Sequence, residues 1–580
     1  MNKAKYDGME HPVRQVTDLK DIIVSSCSMF KDDTAFLEKD KPGGTFQPVS
    51  YAKVKDDMDA LGTKLIDMGL KGCKIAVVGE TSYHWFLTYF AAVCGVGVIV
   101  PLDKNLPQDE LKSLVERSHA KAIVFSNRME KTVKPLFDKP GEIEYFISMS
   151  ESENEKVLSL VKLIEEGNKL LREGARNFVD AEINPQDMAS LLFTSGTTGK
   201  SKGVMLSHKN IAANVVNVSK RVMLDKGCVV LSILPVHHTY ENTIDWVTIY
   251  QGRTIAICEG IKYILRNMNE VKANCMVGVP LVFEKIFKGL MKQAEGRGEG
   301  EKIRNAIALS RRLKLYNNRS LIRKLFKPIH QAFGGGMHLF IAGGAAMDPE
   351  ITEAFEAMGI PMIQGYGMTE YAPIIAVNQD NYSIAKSVGR PMPETKVRID
   401  NADENGVGEI VVKGPSVMLG YYEDQEATDE AIEDGWLHTG DLGYLDSDDF
   451  LYLTGRKKTV IVTKGGKNIF PEELEAVLKE NELIKETIVH GVTDKTVGNV
   501  IVTADIQPNY ELLEEQRGKM SSSDVYHFYR ELIDEINKTL PPYKVIKRIN
   551  IRENGFAMTT TGKVKRYGNF IEGADEKGSP

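Results

Sequence analysis

Residues 191–206 read Leu191-Leu-Phe-Thr194-Ser-Gly-Thr-Thr-Gly-Lys-Ser-Lys202-Gly-Val-Met-Leu206. A short apolar run leads into a loop of hydroxyls, glycines and two lysines, and a second apolar run leaves it. Such a loop suits a polyphosphate: glycines let backbone N–H groups approach the oxygens, hydroxyls donate, and lysines neutralise charge. The Walker A pattern needs a glycine five residues before Gly199, and that position is Thr194. The loop is therefore a phosphate binder of another kind, or else an ordinary polar surface turn.

The rest of the chain bounds the choice. At 580 residues it exceeds one core, so at least two domains are expected. Composition is that of a globular protein, 42% hydrophobic and 26% charged, and the net charge of −7 argues against general nucleic-acid binding. Six scattered cysteines form no C-x-x-C pair, so zinc and disulfide frameworks are not expected and reduced thiols are. No apolar segment follows Met1-Asn2-Lys3, so a cytoplasmic chain is expected, or one peripheral at a membrane. The most apolar stretch, Phe86 to Leu102, is interrupted by Gly95, Gly97 and Pro101, and reads as a buried helix and strand rather than a span.

Short β-branched runs alternate with amphipathic stretches. Lys74–Val78, Val96–Val100, Ala122–Phe125, Val229–Ile233, Thr254–Ile257 and Leu339–Ile341 read as buried strands; Tyr51–Met68 and Gln108–Ser118 read as helices. The expected class is α/β: a large N-terminal domain of layered, mostly parallel sheets and helices, then a small, mobile α+β C-terminal domain. The texture changes near Gly455-Arg456-Lys457-Lys458, which precedes a strand at Thr459–Thr463 and a helix starting at Pro471. Domains are expected at 1–457 and 458–580, with a polar tail from Glu572. Lys302–Lys327 stands apart, with nine basic residues, no acidic one, and interleaved leucines. It suits an anionic membrane surface or an acidic carrier protein; a solvated basic helix face is the plain alternative.

Three more motifs carry chemistry. In Gly365-Tyr366-Gly367-Met368-Thr369-Glu370 the aromatic face can stack on a base, the threonine can reach phosphate, and the glutamate can ligate Mg²⁺. In Gly435–Gly443, Asp441 can accept from two ribose hydroxyls. In Thr559-Thr-Thr-Gly-Lys563, a lysine after a glycine turn is a movable charge for oxygens that grow more negative in a transition state. Each has a plain alternative: a common Gly-Tyr-Gly turn, an Asp in a Gly-flanked turn, a solvated basic patch.

In this order, Thr194–Lys202, Gly365–Glu370, Gly435–Asp441, Gly455–Glu475 and Thr559–Lys563 resemble the core motifs of the adenylate-forming, AMP-binding superfamily. That superfamily contains acyl-CoA synthetases, peptide-synthetase adenylation domains and beetle luciferases, and the resemblance spans most of the chain. His238-Thr-Tyr-Glu241, the basic segment and Phe333-Gly-Gly-Gly336 look most like long-chain fatty acid–CoA ligases. Only 37 residues separate Glu370 from Gly408, so no insertion typical of fatty acyl-AMP ligases is evident.

The resemblance implies ATP-dependent activation of a medium- or long-chain fatty acid to an acyl-adenylate, then transfer to CoA, with AMP and pyrophosphate released. An acyl carrier protein bearing phosphopantetheine is the alternative acceptor. It implies that Thr194, Ser195, Gly196, Thr197, Thr198, Gly199 and Lys202 cradle the β- and γ-phosphates. Tyr366, flanked by Gly365 and Gly367, would stack adenine against Gly344 and Ala345. Thr369 would contact the α-phosphate, Glu370 would hold Mg²⁺, and Asp441 and Arg456 would hold the ribose. Lys563 would bridge carboxylate and α-phosphate, and His238 would line the acyl entrance. The small domain would then turn at Lys458, where many relatives have Asp, to present the loop containing Gly465 and Gly466 to the pantetheine. Acyl depth is expected to depend on Trp246 and the Val277–Val282 region.

Overall fold

The computed structural model describes residues 10–194, 201–380, 382–462, 468–494, 499–558, 564 and 566. The chain divides by packing into two units: 1–396 with 412–437, and 397–411 with 438–580.

The first unit is built on two large sheets. In one, six parallel strands lie in the spatial order Met362–Gly367, Leu339–Ala342, Cys275–Gly278, Val229–Ser232, Thr254–Ile257 and Thr34–Lys39. Ile374–Val377 and Arg390–Pro391 extend one edge antiparallel, and Phe46–Ser50 extends the other. The second sheet has the order Gly420–Tyr421, Lys202–Ser207, Met188–Thr194, Gly97–Leu102, Cys73–Val78, Ala120–Phe125, Tyr145–Ser148 and Val157–Ser159. It is parallel from Met188–Thr194 onward. These strands read as near-continuous Val/Ile/Ala runs because helices cover both faces.

The strand and helix expectations hold closely. Gln108–Ser118 and Thr254–Ile257 have the expected bounds, and the long helix is Tyr51–Asp67. The strand expected from Val96 begins at Gly97, because Ala92–Val96 forms a wider helical turn that ends the preceding helix Tyr83–Ala91. Gly97 is required there: a Cβ would lie 2.1 Å from the Cys73 carbonyl oxygen on the neighbouring strand. Trp85, Phe86 and Phe90 of that helix are buried in the core, and among the described residues no helix is long and apolar enough to cross a membrane. All six cysteines are unpaired thiols.

The second unit contains residues 438–445 paired antiparallel with Leu451–Arg456, and a three-stranded sheet, Ile484–Asp494, Asn499–Pro508 and Ile546–Ile551. Helices Pro471–Lys479 and Ser522–Asn537 contribute Leu474, Leu478, Tyr529 and Ile533 to its core. Pro471 opens its helix at the position where a missing N–H is harmless, and Glu472 and Glu473 occupy the first turn near the positive end of the dipole. Of the strand expected at Thr459–Thr463, Ile461–Val462 is present and Thr463 lies outside the described residues; Thr459 and Val460 are drawn into a turn on the Arg456 carbonyl.

Candidate active site

In the first unit, Thr194 ends one strand and Lys202 begins the next, and the two are register partners. The loop between them thus leaves and re-enters the sheet at one rung; Ser195, Gly196, Thr197, Thr198 and Gly199 lie outside the described residues. Its flank is held by Arg117, whose guanidinium donates to the Ser201 carbonyl at 2.8 Å and lies over the Phe193 ring. Lys202 Nζ sits 4.7 Å above the ring of Tyr421.

Tyr421 also donates its phenol to Glu370 Oε1 at 2.8 Å. It reaches that place because Gly420–Tyr421 pairs with Met205 and Val204 at the sheet edge. The Met418 N–H meanwhile donates to the Glu370 carbonyl at 2.9 Å. Burial pushes the Tyr421 phenol well above its ordinary pKa, and the Glu370 charge adds to the shift. Tyr421 is therefore a neutral donor to the carboxylate, with its ring under a lysine of the loop. No motif reading singled it out.

Glu370 belongs to the short turn Thr369–Tyr371 after the strand Met362–Gly367. Buried Asn214 clamps that turn: its amide donates to the Ile374 and Tyr371 carbonyls at 2.9 and 3.3 Å and accepts from the Ile374 N–H at 3.2 Å. Thr369 Oγ1 lies 3.4 Å from Thr239 Oγ1, so the phosphate motif meets the start of the helix Thr239–Tyr250. His238 caps that helix, its Nδ1 accepting from the Tyr240 N–H at 3.3 Å. Tyr240 donates to the Ile341 carbonyl at 3.2 Å, and a Cβ on Gly343 would come within 2.7 Å of its ring. Gly344 follows with φ +82°, a conformation that favours glycine. Tyr366 is buried, and a Cβ on Gly367 would lie 2.1 Å from the Pro373 carbonyl oxygen. Gly365 and Ala345 complete these two strand ends.

Beside Gly365 the same elements enclose a narrow void of about 20 Å³ whose lining is wholly apolar, including Val222, Val230, Tyr240, Ile244, Val247 and Ile341. Tyr240, Ile244 and Val247 share one helix face. Trp246 is turned away from it, edge-on to Phe90 at 5.1 Å and Tyr89 at 6.0 Å. Neither it nor residues 277–282 line this void.

The neighbouring side of that helix carries a carboxyl pair, Glu241 and Asp245, both buried. Burial pushes Glu241 up to about 8 against the hydrogen bonds it accepts, one of them from the Ile233 N–H at 3.0 Å, and raises Asp245 as well. At neutral pH this part of the first unit is therefore protonated and uncharged.

In the second unit, Asp441 and Arg456 face each other across two antiparallel strands, Nε to Oδ1 3.0 Å apart. The Asp441 N–H donates to Thr439 Oγ1 at 3.0 Å. Next to them Lys457 Nζ reaches Glu409 Oε2 at 2.7 Å while its N–H donates to the Gly440 carbonyl at 2.8 Å. Burial alone would raise Glu409; Lys457 and His438 outweigh it and hold the carboxyl below its usual range.

Gly465, Gly466 and Lys563 lie outside the described residues. The residues on either side of 559–563, Met558 and Val564, form an antiparallel bridge. Arg566, just beyond, pairs with Glu475 at 2.7 Å and Glu472 at 3.1 Å on the helix Pro471–Lys479.

Among the described residues no three His, Cys, Asp or Glu side chains converge as a metal site. The lone carboxylate of Glu370 fits Mg²⁺ of the kind that keeps its waters and arrives on substrate phosphates.

The sequence pattern described as "AMP-binding enzyme" matches residues 24–422, and "AMP-binding enzyme C-terminal domain" matches 458–569. The chain belongs to the AMP-binding enzyme family. Among its relatives, the long-chain-fatty-acid–CoA ligase FadD15 of Mycobacterium bovis is 27% identical over 553 residues, 90% of each chain. The chloroplastic long-chain-fatty-acid–[acyl-carrier-protein] ligase AEE15 of Arabidopsis thaliana is 25% identical over 625 residues, 94% of this chain and 84% of that one. The o-succinylbenzoate CoA synthetase MenE of Bacillus subtilis, solved with ATP and magnesium, shares the fold. Its TM-score is 0.72 at 21% identity, covering 94% of this AMP-binding enzyme and 98% of MenE.

Proposed function

We propose that this AMP-binding enzyme activates a medium- or long-chain fatty acid with ATP and passes the acyl group to CoA. The observation that carries the substrate class is the likeness to the long-chain-fatty-acid–CoA ligase FadD15 over 90% of each chain; the wholly apolar void beside Gly365, on the strand before Thr369 and Glu370, is in keeping with it, although at about 20 Å³ it holds no alkyl chain without opening. A wall without polar groups favours an alkyl chain by about 0.8 kcal/mol per methylene buried and offers nothing to a polar acid. The chain enters by parting Tyr240, Ile244 and Val247 from the sheet, with His238 at the mouth.

A carboxylate oxygen attacks the α-phosphorus of ATP; the bond to the bridging oxygen breaks and pyrophosphate leaves, giving acyl-AMP. The thiolate sulfur of CoA then attacks the acyl carbon and AMP departs, leaving a thioester. The first step asks the protein for position and charge. Thr194, Ser195, Gly196, Thr197, Thr198, Gly199 and Lys202 hold the departing pyrophosphate, Thr369 the α-phosphate, and Glu370 the Mg²⁺ that comes with ATP. Tyr366, Gly344 and Ala345 hold adenine; Asp441 and Arg456 hold ribose; Lys563 bridges the reacting oxygens. In the second step the chain turns at Lys458, between the domains 1–457 and 458–580, and the Gly465-Gly466 loop meets the pantetheine.

A carrier-protein acceptor is the second reading, favoured by the basic stretch Lys302–Lys327, which suits an anionic partner. The deciding assay follows pyrophosphate release over a panel of acids, with CoA or holo-carrier as acceptor. Release that peaks with short polar acids would end the fatty-acid reading; thioester formed on the carrier alone would exchange the acceptors.

A further inference from the structure

The basic stretch folds into three short helices, Gly300–Leu313, Arg319–Leu325 and Lys327–Ala332. They have two apolar edges, and the core uses one. Ile307, Ile322, Phe326 and Ile329 are buried against Phe340 and Phe355, and Ser310 donates to the Ala357 carbonyl at 2.7 Å. Leu309, Leu313, Leu321 and Leu325 are 49%, 58%, 46% and 44% exposed. Each pair is spaced i, i+4, so each makes a strip along one side of its helix.

Cations surround the strips. Arg312, Lys314, Arg323, Lys324 and Lys327 are exposed, and none has a carboxylate within 4.0 Å among the described residues. Among the described side chains of this stretch, Arg304 and Arg311 are the paired ones, with Glu295 and Glu353. The patch is strongly positive on a chain whose net charge is −7. The adjoining helix Ile264–Val271 is tied to it by Asn269, whose amide donates to the Ala332 carbonyl at 2.6 Å. It and the turn before it expose Leu265 and Ile261.

Outward leucines ringed by cations on long aliphatic stems suit one environment above others. The leucines can enter the acyl boundary of a lipid leaflet while the cations remain at phosphate level. A fluid bilayer accepts leucines spread over two helices in any arrangement, whereas a folded acidic protein would need matching grooves. We propose that the face formed by Leu309, Leu313, Leu321, Leu325 and their flanking cations docks the protein on an anionic lipid bilayer. Its use rests on the fatty-acid reading, since long-chain acids partition into bilayers, but its physics does not.

The test is co-sedimentation of the full chain with phosphatidylcholine vesicles, with and without phosphatidylglycerol. Binding is expected to need the anionic lipid and to weaken with salt. Replacing Leu309, Leu313, Leu321 and Leu325 by serine should lower partitioning by about tenfold or more. Neutralising Arg312, Lys314, Arg323 and Lys324 to glutamine should cost about fivefold per cation and erase the lipid preference. Both variants should keep the native circular dichroism spectrum and pyrophosphate release with a short, water-soluble acid. Absence of wild-type binding to anionic vesicles, or serine and glutamine variants that sediment like wild type, would overturn the proposal. So would a holo-carrier that binds this face while vesicles do not. Vesicle binding without pyrophosphate release from any fatty acid would sink the ligase reading and leave the docking face standing.

Discussion

Tyr421 donates to Glu370 Oε1 at 2.8 Å while its ring lies under Lys202 Nζ at 4.7 Å. One side chain therefore touches both the flank of the phosphate loop and the carboxylate proposed to meet Mg²⁺. A hydrogen bond to a carboxylate is worth about 1.5–3 kcal/mol, and here it fixes which way the acid points. Tyr421→Phe keeps the ring under Lys202 and removes only the donor. The Mg²⁺ concentration for half-maximal pyrophosphate release should rise about tenfold, with the KM for the fatty acid unchanged. A rise in both would show that the tyrosine supports the fold at large.

The segment with Lys563 is flanked by the Met558–Val564 bridge and by Arg566, which two glutamates hold. Lys563→Ala should lose adenylation by about a hundredfold or more while keeping thioester formation from supplied acyl-adenylate. Arg566→Ala removes the anchor and leaves the lysine, so it should lower adenylation less, by about tenfold, again sparing the second half-reaction. Single-turnover assays of each half-reaction separate these outcomes; equal loss of both steps in Lys563→Ala ends the two-conformation mechanism.

Val247 lines the void through the helix face it shares with Tyr240 and Ile244. Val247→Phe fills space an alkyl chain would take. The preferred acid should shorten by several methylenes, and activity on the longest acids should fall about tenfold or more. Trp246→Phe, on the other face, should leave the profile alone. An acid panel on the two variants reads this directly, and an unshifted profile for Val247→Phe would place the acyl chain elsewhere.

Glu241 gives a pH dependence with a definite sign. Its folded pKa, about 8, lies above the ordinary 4.5, so the folded chain keeps a proton that the unfolded chain releases. The stabilisation is complete below pH 4.5 and is lost as pH rises through 8. Between pH 5 and pH 8 the wild type should therefore lose of the order of 3 kcal/mol relative to Glu241→Gln, which cannot ionise. Urea unfolding followed by buried tryptophan fluorescence measures the gap; parallel pH profiles for the two proteins would show that Glu241 is charged in the fold.

Much of this was legible in the chain because it is local. Thr254–Ile257 and Gln108–Ser118 could be bounded from periodicity alone, and the turn at Gly365–Glu370 announced itself by its glycines, of which Gly367 is required by the strand packing. What escaped acts across long separations. Asn214 clamps a turn 157 residues later, and Tyr421 reaches back 51 residues to Glu370, both by tertiary placement with no motif to mark it. Trp246 likewise takes its place from tertiary packing, edge-on to Phe90, which no motif marks. The exposed leucines of the basic helices could be counted in the sequence, yet which of them the core consumes was decided only by packing.

The Arg456 carbonyl accepts from the Thr459 N–H at 3.0 Å, the Val460 N–H at 3.2 Å and the Thr459 hydroxyl at 3.0 Å, while the same residue's side chain grips Asp441. Lys458, the proposed pivot, lies inside that loop of bonds. A swing there, as proposed, would have to release these bonds, so the turn would work as a latch rather than a slack tether. With a ribose held by Asp441 and Arg456 as proposed, departure of AMP would loosen that latch and so time the return of the enzyme to its next acid.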